Sequence, residues 1–250
     1  MLFNSFPFLL GFLPIALTGG FFFLFRNRGD YLIAWLVACS LFFYAYWNPS
    51  HVGIIVSSVL INFWVGSTLT SWSAPRARLI ILTAGISLNL GLLGWFKYTD
   101  FVFGMLHADS PTGFFGSITA TALPIGISFY TFQQIAFLVD AYRDRGQYSF
   151  LRYAFFVCFF PQLIAGPIVH HSEIIPQLNR IADRVLSSRY VAAFLAPGIA
   201  LISLGLGKKV IFADQFGNLA DVAFDAVAAG KEIGFIEAWG GALAYALQIY

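Results

Sequence analysis

The sequence predicts an all-α, polytopic integral membrane protein that contains one broken, re-entrant helical segment. Hydrophobic residues make up 59% of the chain and charged residues only 10%, whereas soluble domains carry about a quarter charged residues. Two runs without any Asp, Glu, Lys or Arg, 1–25 and 31–75, each exceed the roughly 20 residues that cross a bilayer as a helix. The net charge of +2 is too small to predict a nucleic-acid partner.

The first uncharged run, 1–25, is expected to be a retained membrane span rather than a signal peptide. No basic residue precedes it and no small-residue cleavage site follows it. Arg26 and Arg28 end the run and predict a cytoplasmic turn, because basic residues concentrate on the cytoplasmic side. The N-terminus is therefore expected outside.

The second uncharged run is too long for one span and is divided by a turn signal. Asn48-Pro49-Ser50 is expected to break it, because proline disfavours helix at the residue before it. This division gives spans at 31–47 and 51–72.

The basic residues Arg76 and Arg78 predict a second cytoplasmic turn, which precedes a fourth span. That span is expected at 79–96 and is closed by Lys97. A polar loop at 109–116 should then lie outside.

The next helix, beginning after Leu123, carries a polar stripe. Tyr130, Gln133, Gln134 and Phe137 have the i, i+3, i+4, i+7 spacing of one helical face. Such a stripe is unfavourable toward lipid and should face other helices or water. Two interpretations stay open: the glutamines bind neighbouring helices through structural hydrogen bonds, or they line a substrate path.

Asp140 and Arg143 lie one turn apart at the end of the same helix. The spacing predicts a local ion pair at the membrane edge, which we expect to set topology rather than to take part in catalysis. With Arg145 and Arg152, Arg143 predicts a third cytoplasmic turn.

The segment 153–169 is predicted to enter the membrane and return to the same side. A full crossing would place the basic residues at 180, 184 and 189 outside, against the positive-inside rule. Breaking residues also interrupt it, namely Pro161, Gly166 and Pro167. A broken hairpin that returns to the cytoplasmic side accounts for both the basic residues and the breaking residues. It requires that the backbone groups left unpaired at the break are buried in protein.

Four further helices are expected after the hairpin. Ile174, Leu178, Ile181 and Val185 recur at helical spacing and predict an amphipathic helix in the interface. The run 191–207 is another apolar segment, ended by Lys208-Lys209. We expect 210–232 to be helical without crossing the membrane. The segment 233–250 is expected to begin one more hydrophobic helix.

The residues alone say little about chemistry. His170 and His171 are adjacent and point to different sides of a helix, so they do not form a metal pair, and no metal site is predicted. His170 is the best functional candidate among the histidines, although an interfacial hydrogen-bonding role is expected ahead of catalysis. Cys39 and Cys158 lie in apolar runs and are expected to be buried thiols. From the residues alone, the sequence is as consistent with a transporter as with an enzyme.

Several motifs occur in the order in which one enzyme family carries them. They are SLFFYAYWNPSHV at 40–52, LINFWVG at 60–66, LNLGLLGWFKYTDF at 88–101, LPIGISFYTFQQIAFLVDAYR at 123–143, FFPQLIAGPIVHHSEIIPQL at 159–178, GLGKKVIFAD at 205–214 and WGGALAYALQIY at 239–250. In these the chain resembles the N-terminal part of the bacterial membrane-bound O-acyltransferases, and it is most similar to the branch that acetylates alginate and related exopolysaccharides.

The resemblance implies transfer of an acyl group, most simply acetyl, through the membrane to hydroxyls of an extracytoplasmic polysaccharide. It implies a donor such as acetyl-CoA or another activated acyl carrier as co-substrate, with no bound cofactor, and a multi-pass protein of the bacterial cytoplasmic (inner) membrane. Periplasmic or membrane acetylation proteins are expected partners, beside the bilayer and the polysaccharide.

In the family the base is attributed to an intramembrane histidine that follows the QIY motif. That histidine is expected beyond Tyr250, so 1–250 is expected to be the N-terminal part of a single membrane-embedded acyltransferase domain and to be inactive by itself. No residue here takes the catalytic role. The residues expected to line or support the channel are Tyr130, Gln133, Gln134, Asp140, Arg143, Gln162 and His170.

Alternative functions remain open from the sequence. Within the family, D-alanylation of teichoic acid is one. A polytopic transporter or flippase would show related halves and a midplane site, but no internal symmetry is visible in the sequence. A membrane scaffold without catalytic activity is the third.

Overall fold

The described helices confirm the polytopic, all-α class. The computed structural model describes residues 2–105, 123–144, 146, 148–166, 171–182 and 188–249, with backbone alone at 100–104, 164–165, 171–172, 182, 188–190, 192 and 194. Within these ranges, five helices are long and apolar enough to cross a membrane: Pro7–Phe25, Gly29–Trp47, Pro49–Ser71, Pro75–Thr99 and Leu195–Ala228. The expected outer loop at 109–116, together with Pro167 and His170, lies outside the described residues.

The first helices end where the sequence predicts. A π-helical turn, Pro7–Phe12, continues into α1 (Leu13–Phe25), and α2 spans Gly29–Trp47. Asn48 takes an extended conformation, and its side-chain oxygen accepts from the backbone N–H of Ser50 at 3.0 Å. This cap begins α3 (Pro49–Ser71), so the predicted division at Asn48-Pro49-Ser50 is confirmed.

The fourth helix is longer than predicted. α4 spans Pro75–Met105, so the expected start at 79 and end at Lys97 are both wrong. Lys97 is exposed, and a long lysine stem can lie along an apolar surface while its ammonium reaches water. A single lysine therefore does not stop the helix.

The turn before the next helix approaches a neighbouring backbone closely. α5 spans Ile127–Asp144. Gly126, just before it, has φ +71°, and a Cβ at this position would lie 2.5 Å from the carbonyl oxygen of Leu163. Only glycine avoids both the backbone strain and the clash.

The segment after α5 is broken into two short helices. α6 (Phe150–Cys158) has 9 residues and α7 (Phe160–Ala165) has 6, too few for either to cross a bilayer. Phe159, with ψ 110°, interrupts the helix. The backbone N–H of Phe160 donates to the hydroxyl of Ser40 in α2 at 3.2 Å. This N–H group, which the break leaves without a helical partner, is therefore hydrogen-bonded within the protein and not exposed to lipid.

The broken segment returns to the end from which it starts. In the first turn of α6, Arg152 donates from Nε to the Asn179 side-chain oxygen at 2.6 Å, and Asn179 belongs to α8 (His171–Ala182). Arg152 also pairs with Asp30, at the start of α2, at 3.4 Å. The predicted break in the helix is therefore confirmed, and these contacts favour the re-entrant interpretation, which stays a prediction.

Residues 1–185 and 186–250 form two compact units, and the second is described by itself. In it α9 (Ser188–Gly207) continues through a π-helical turn, Lys208–Ala213, into α10 (Asp214–Ala228). The predicted end at Lys208-Lys209 is wrong, because the helix continues. Most of the segment expected not to cross belongs to the apolar helix Leu195–Ala228, which is long enough to cross.

The last helix confirms the hydrophobic element expected near 233. α11 (Phe235–Ile249) packs antiparallel against α10 through small residues. A Cβ at Gly241 would lie 2.5 Å from the Cβ of Ala223, which shows how closely the two helices approach. The rings of Phe224 and Tyr245 meet edge to face at 5.6 Å.

Candidate functional site

The polar stripe of α5 is buried along its whole length. Tyr130, Gln134 and Phe137 are fully buried, and Gln133 is 2% exposed. The prediction that this face avoids lipid is therefore confirmed. The two adjacent glutamines nevertheless have different surroundings, because successive helical residues point about 100° apart.

Gln134 joins a hydrogen-bonded network with α3 and α4. Its side-chain oxygen accepts from the hydroxyl of Ser58 at 2.8 Å and from the amide of Asn62 at 3.1 Å. Asn62 and Asn89 also exchange bonds, Nδ2 of each donating to Oδ1 of the other at 3.1 and 2.6 Å. This polar network (Ser58, Asn62, Asn89 and Gln134) joins α3, α4 and α5 through side-chain hydrogen bonds. It matches the interpretation in which the glutamines bind neighbouring helices.

Gln133 lies on the side of α5 that Tyr130 and Phe137 share. Its side-chain oxygen and the hydroxyl of Tyr130 are buried and accept or donate no hydrogen bond among the described residues. The ring of Phe137 lies 4.2 Å from that of Tyr153 in α6, which places this side against the re-entrant segment. Gln133 therefore stays a candidate for the lining role.

Tyr153 and Cys158 of α6 are further buried, uncharged polar side chains. The hydroxyl of Tyr153 is buried and likewise has no hydrogen-bond partner among the described residues. Cys158 belongs to the same buried core as Tyr44, Tyr130 and Tyr153. Tyr44 differs from the other two phenols, because its hydroxyl donates to the carbonyl of Ile125 at 3.0 Å.

The other predicted residues lie around the re-entrant break. Gln162 is half-buried in α7, next to exposed Pro161, and its carbonyl accepts from the backbone N–H of Gly166 at 3.0 Å. A Cβ at Gly166 would lie 2.7 Å from the Cα of Gln162, so the chain turns tightly there. Predicted breaking residues thus lie at a real break, although the helix is first interrupted at Phe159.

Asp140 is half-buried and Arg143 is exposed in the last turns of α5. Their mutual ion pair stays a prediction. Tyr148 follows the helix and packs edge-on against Phe137 at 5.0 Å. Burial, then the nearby carboxylates of Asp144 and Asp140, raise the pKa of the Tyr148 phenol above its ordinary value, so it is neutral at physiological pH.

Arg78 is a buried arginine that lies next to the last turn of α5. Only 7% exposed, it donates from Nε to the carbonyl of Leu69 at 3.0 Å and from Nη2 to the carbonyl of Tyr142. Its guanidinium also lies over the Tyr142 ring, 4.7 Å from the centroid. The C-terminal ends of α3 and α5 therefore meet one cation, which suits the negative end of a helix dipole.

Sequence reasoning missed Ser58, Asn62, Asn89 and Tyr153. A usable signal was present for the asparagines, since an amide inside an otherwise apolar span is costly in lipid and predicts a partner. The tyrosine gave no such signal, because aromatic residues are ordinary in membrane helices. Of the four histidines, the structure describes only the side chain of His51, which is buried in α3.

These features define a polytopic membrane protein with a protein-lined polar interior beside a re-entrant segment, a class that includes transporters and membrane-embedded transferases. More narrowly, the chain belongs to the membrane-bound O-acyltransferase (MBOAT) family, whose sequence model matches residues 33–250.

Curated relatives match over the whole of this chain. A peptidoglycan O-acetyltransferase of Helicobacter pylori is 36% identical and is matched over 51% of its own length. Probable alginate O-acetylases AlgI of Pseudomonas aeruginosa and Azotobacter vinelandii are 34% and 33% identical, over 46% and 48% of their lengths. The chain thus spans about half the length of these relatives. No solved structure matches it.

Proposed function

We propose that the intact protein transfers an acyl group, acetyl above all, from an activated donor in the cytoplasm to hydroxyls of an extracytoplasmic polysaccharide. The observation that supports this is the match along the whole chain to two relatives named for O-acetylation of peptidoglycan and of alginate. Acetyl-CoA or another activated acyl carrier is the proposed donor.

The geometry suits a reaction that needs access from two sides. The basic turns meet at one end of the first unit, where Arg152 joins Asp30 and Arg78 reaches the carbonyl of Tyr142. By the positive-inside rule this end is cytoplasmic and would receive the donor. Tyr44 and Ile125 meet at the opposite ends of their helices, on the side from which the acceptor would come.

The residues proposed to line or support the path are on or beside the broken segment. Tyr130 and Gln133 present uncharged polar groups inside the protein, and Asp140 and Gln162 flank them along α5 and α7. Gln134 contributes through the polar network rather than by contact with substrate. Arg143 and His170 complete the proposed set. A protein-lined polar interior allows a hydroxyl to meet an acyl donor away from lipid.

The proposed location is the bacterial cytoplasmic membrane. Accessory acetylation proteins in the membrane or periplasm are proposed partners, since the polysaccharide is made or modified outside the bilayer that holds this chain.

Gene deletion followed by ester analysis tests the proposal. We expect O-acetyl esters to disappear from one polysaccharide fraction, either peptidoglycan or a secreted polysaccharide, and to return with the wild-type gene. Gln133→Leu should restore fewer esters than Phe132→Leu, because Phe132 is the next residue but is 46% exposed on the outer side of α5. Loss of D-alanine esters from teichoic acid with acetyl esters unchanged would assign the family's other acyl group instead.

A further inference from the structure

We infer that the turn between α1 and α2 is a docking surface for an anionic lipid of the cytoplasmic leaflet. The surface consists of Arg26 and Arg28 together with the rings of Phe22 and Tyr31, and we call it the arginine–aromatic turn. The inference concerns lipid binding alone and does not depend on the proposed acyl transfer.

The turn lies at the depth of lipid phosphates. The helices on either side of it, Pro7–Phe25 and Gly29–Trp47, are both long and apolar enough to cross a membrane. Residues 26–28 therefore follow one span and precede the next, at the boundary between hydrocarbon and water. Basic residues at such a boundary mark the cytoplasmic side, where the leaflet has a negative surface potential.

The backbone holds the two arginines in a defined turn. Asn27 has φ 53°, and its N–H donates to the carbonyl of Leu24 at 3.1 Å, while the N–H of Arg28 donates to the carbonyl of Phe23 at 3.1 Å. These two bonds close the end of α1 as a Schellman motif, with asparagine in the left-handed position that glycine usually takes. Hydrogen bonds thus fix the backbone from which both arginines project.

Each guanidinium lies over an exposed aromatic ring. Arg26 is 4.9 Å from the centroid of Phe22, and Arg28 is 5.6 Å from the centroid of Tyr31. Contact with a ring uses the face of the guanidinium and leaves the N–H groups at its edge available. These N–H groups can bind a phosphate in pairs.

The charge of the turn is complementary to a phosphate. Neither Arg26 nor Arg28 forms an ion pair with any of the residues that the structure describes. The acidic residue nearest to them in the chain is Asp30, and its carboxylate pairs with Arg152 at 3.4 Å. The turn therefore presents two positive charges that no ion pair neutralises.

The apolar surroundings favour a lipid over a soluble phosphate. Phe22, Phe25 and Tyr31 are 54%, 55% and 58% exposed. Exposed rings beside unpaired arginines match an amphipathic ligand, whose headgroup reaches the cations while its acyl chains cover the rings. Aromatic residues are also enriched at this level of a bilayer.

Native mass spectrometry of the intact protein in detergent, with added phosphatidylglycerol or phosphatidylcholine, tests the inference. Wild type should retain phosphatidylglycerol in preference to phosphatidylcholine. Arg26→Gln/Arg28→Gln should weaken phosphatidylglycerol binding about 25-fold, since each basic residue near a lipid surface contributes about fivefold in affinity. Binding of phosphatidylcholine should change little.

Arg76→Gln/Arg180→Gln is the matched control. It removes two charges from exposed positions at the same end of the protein, and neither arginine lies over a ring among the described residues. We expect phosphatidylglycerol binding close to that of wild type. Equal losses in the two double variants would show that net charge alone attracts the lipid, and the assignment to the arginine–aromatic turn would be wrong.

Melting temperatures give a second readout. Phosphatidylglycerol should raise the melting temperature of wild type above its value in phosphatidylcholine, and this difference should vanish in Arg26→Gln/Arg28→Gln. Because the difference is taken within each variant, a general loss of stability cancels. Glycerol phosphate, which has no acyl chains, should give no such rise. An equal rise with glycerol phosphate would assign a soluble phosphate instead, and no rise with either compound would mean that the turn binds no anion; both results contradict the inference.

Discussion

The side-chain oxygen of Gln134 in α5 accepts a hydrogen bond from the hydroxyl of Ser58 in α3, 2.8 Å away. Both side chains are buried, and Gln134 accepts a second bond from Asn62. Because water does not compete for these groups inside a bilayer, such hydrogen bonds contribute to helix association, together with close packing. The relationship fixes the rotation of α5, and hence the direction in which Gln133 and Tyr130 point.

Gln134→Leu should therefore destabilise the protein. The change leaves the Ser58 hydroxyl and one Asn62 donor without their acceptor, and we expect a loss of about 1–3 kcal/mol. Thermal unfolding in detergent measures it. Gln133→Leu is the matched control, since the same substitution one residue away removes an oxygen that has no described partner. Equal losses in the two variants would contradict the division between the two glutamines.

The reciprocal pair in the polar network gives a second prediction. Asn62 and Asn89 exchange hydrogen bonds at 3.1 and 2.6 Å, so Asn62→Leu and Asn89→Leu should be coupled. A double-mutant cycle is expected to give a coupling of about 0.5–2 kcal/mol. Strict additivity of the two single losses would mean that each asparagine is stabilised mainly by its own helix, through the carbonyls of Ser58 and Gly85.

The burial of the α5 stripe could be predicted from spacing alone, but its partners could not. Residues at i, i+3 and i+4 share a face whatever surrounds them. Which neighbour meets Gln133 and which meets Gln134 depends on how α3, α4 and α6 pack around α5. That packing involves contacts between residues far apart in sequence, such as Ser58 and Gln134.

Breaks were easier to predict than helix ends set by charge. Asn48-Pro49 and the Pro161 region act through the local backbone, which the sequence specifies directly. Lys97 was expected to close a membrane span and Lys208-Lys209 to end an apolar run, yet both helices continue past these lysines. A lysine can reach water from inside a helix near the membrane surface, so its charge limits depth in the bilayer rather than helix length.

Gly126→Ala should weaken the contact between α5 and α7. The new Cβ would lie 2.5 Å from the Leu163 carbonyl oxygen and would occupy a backbone conformation with φ +71°. The conformation alone costs roughly 1–2 kcal/mol for a residue other than glycine, and the clash adds to it. Thermal unfolding should show at least that loss. Gly91→Ala in α4 is the control, because nothing lies within 4 Å of its added Cβ, and helix propensity favours alanine there.

Arg78 and Arg76 form another matched pair, one buried and one exposed in the same turn of α4. Arg78→Gln removes a charged donor from the Leu69 and Tyr142 carbonyls, and hydrogen bonds from a charged group are worth about 1.5–3 kcal/mol. We expect a melting temperature several degrees lower. Arg76→Gln should change stability little, as is usual for surface positions. A similar shift in both variants would show that net charge at this end, rather than the buried anchor, determines stability.

The re-entrant segment predicts which positions can be labelled from outside an intact cell. Cys39 and Cys158 are buried, so single cysteines can be introduced after both are replaced by alanine. Cysteines at Asn27 and at exposed Gln177 should both resist a membrane-impermeant maleimide, because Arg152 binds Asp30 at 3.4 Å and Asn179 at 2.6 Å at one end of the protein.

A cysteine at Pro49, in the turn between α2 and α3, lies at the opposite end and should react. After the cells are opened, the first two positions should react as well, which shows that topology rather than burial protected them. If 153–169 crossed the membrane fully, Gln177 would be labelled in intact cells while Asn27 stayed protected. That pattern would also place the exposed Arg180 outside, against the positive-inside rule.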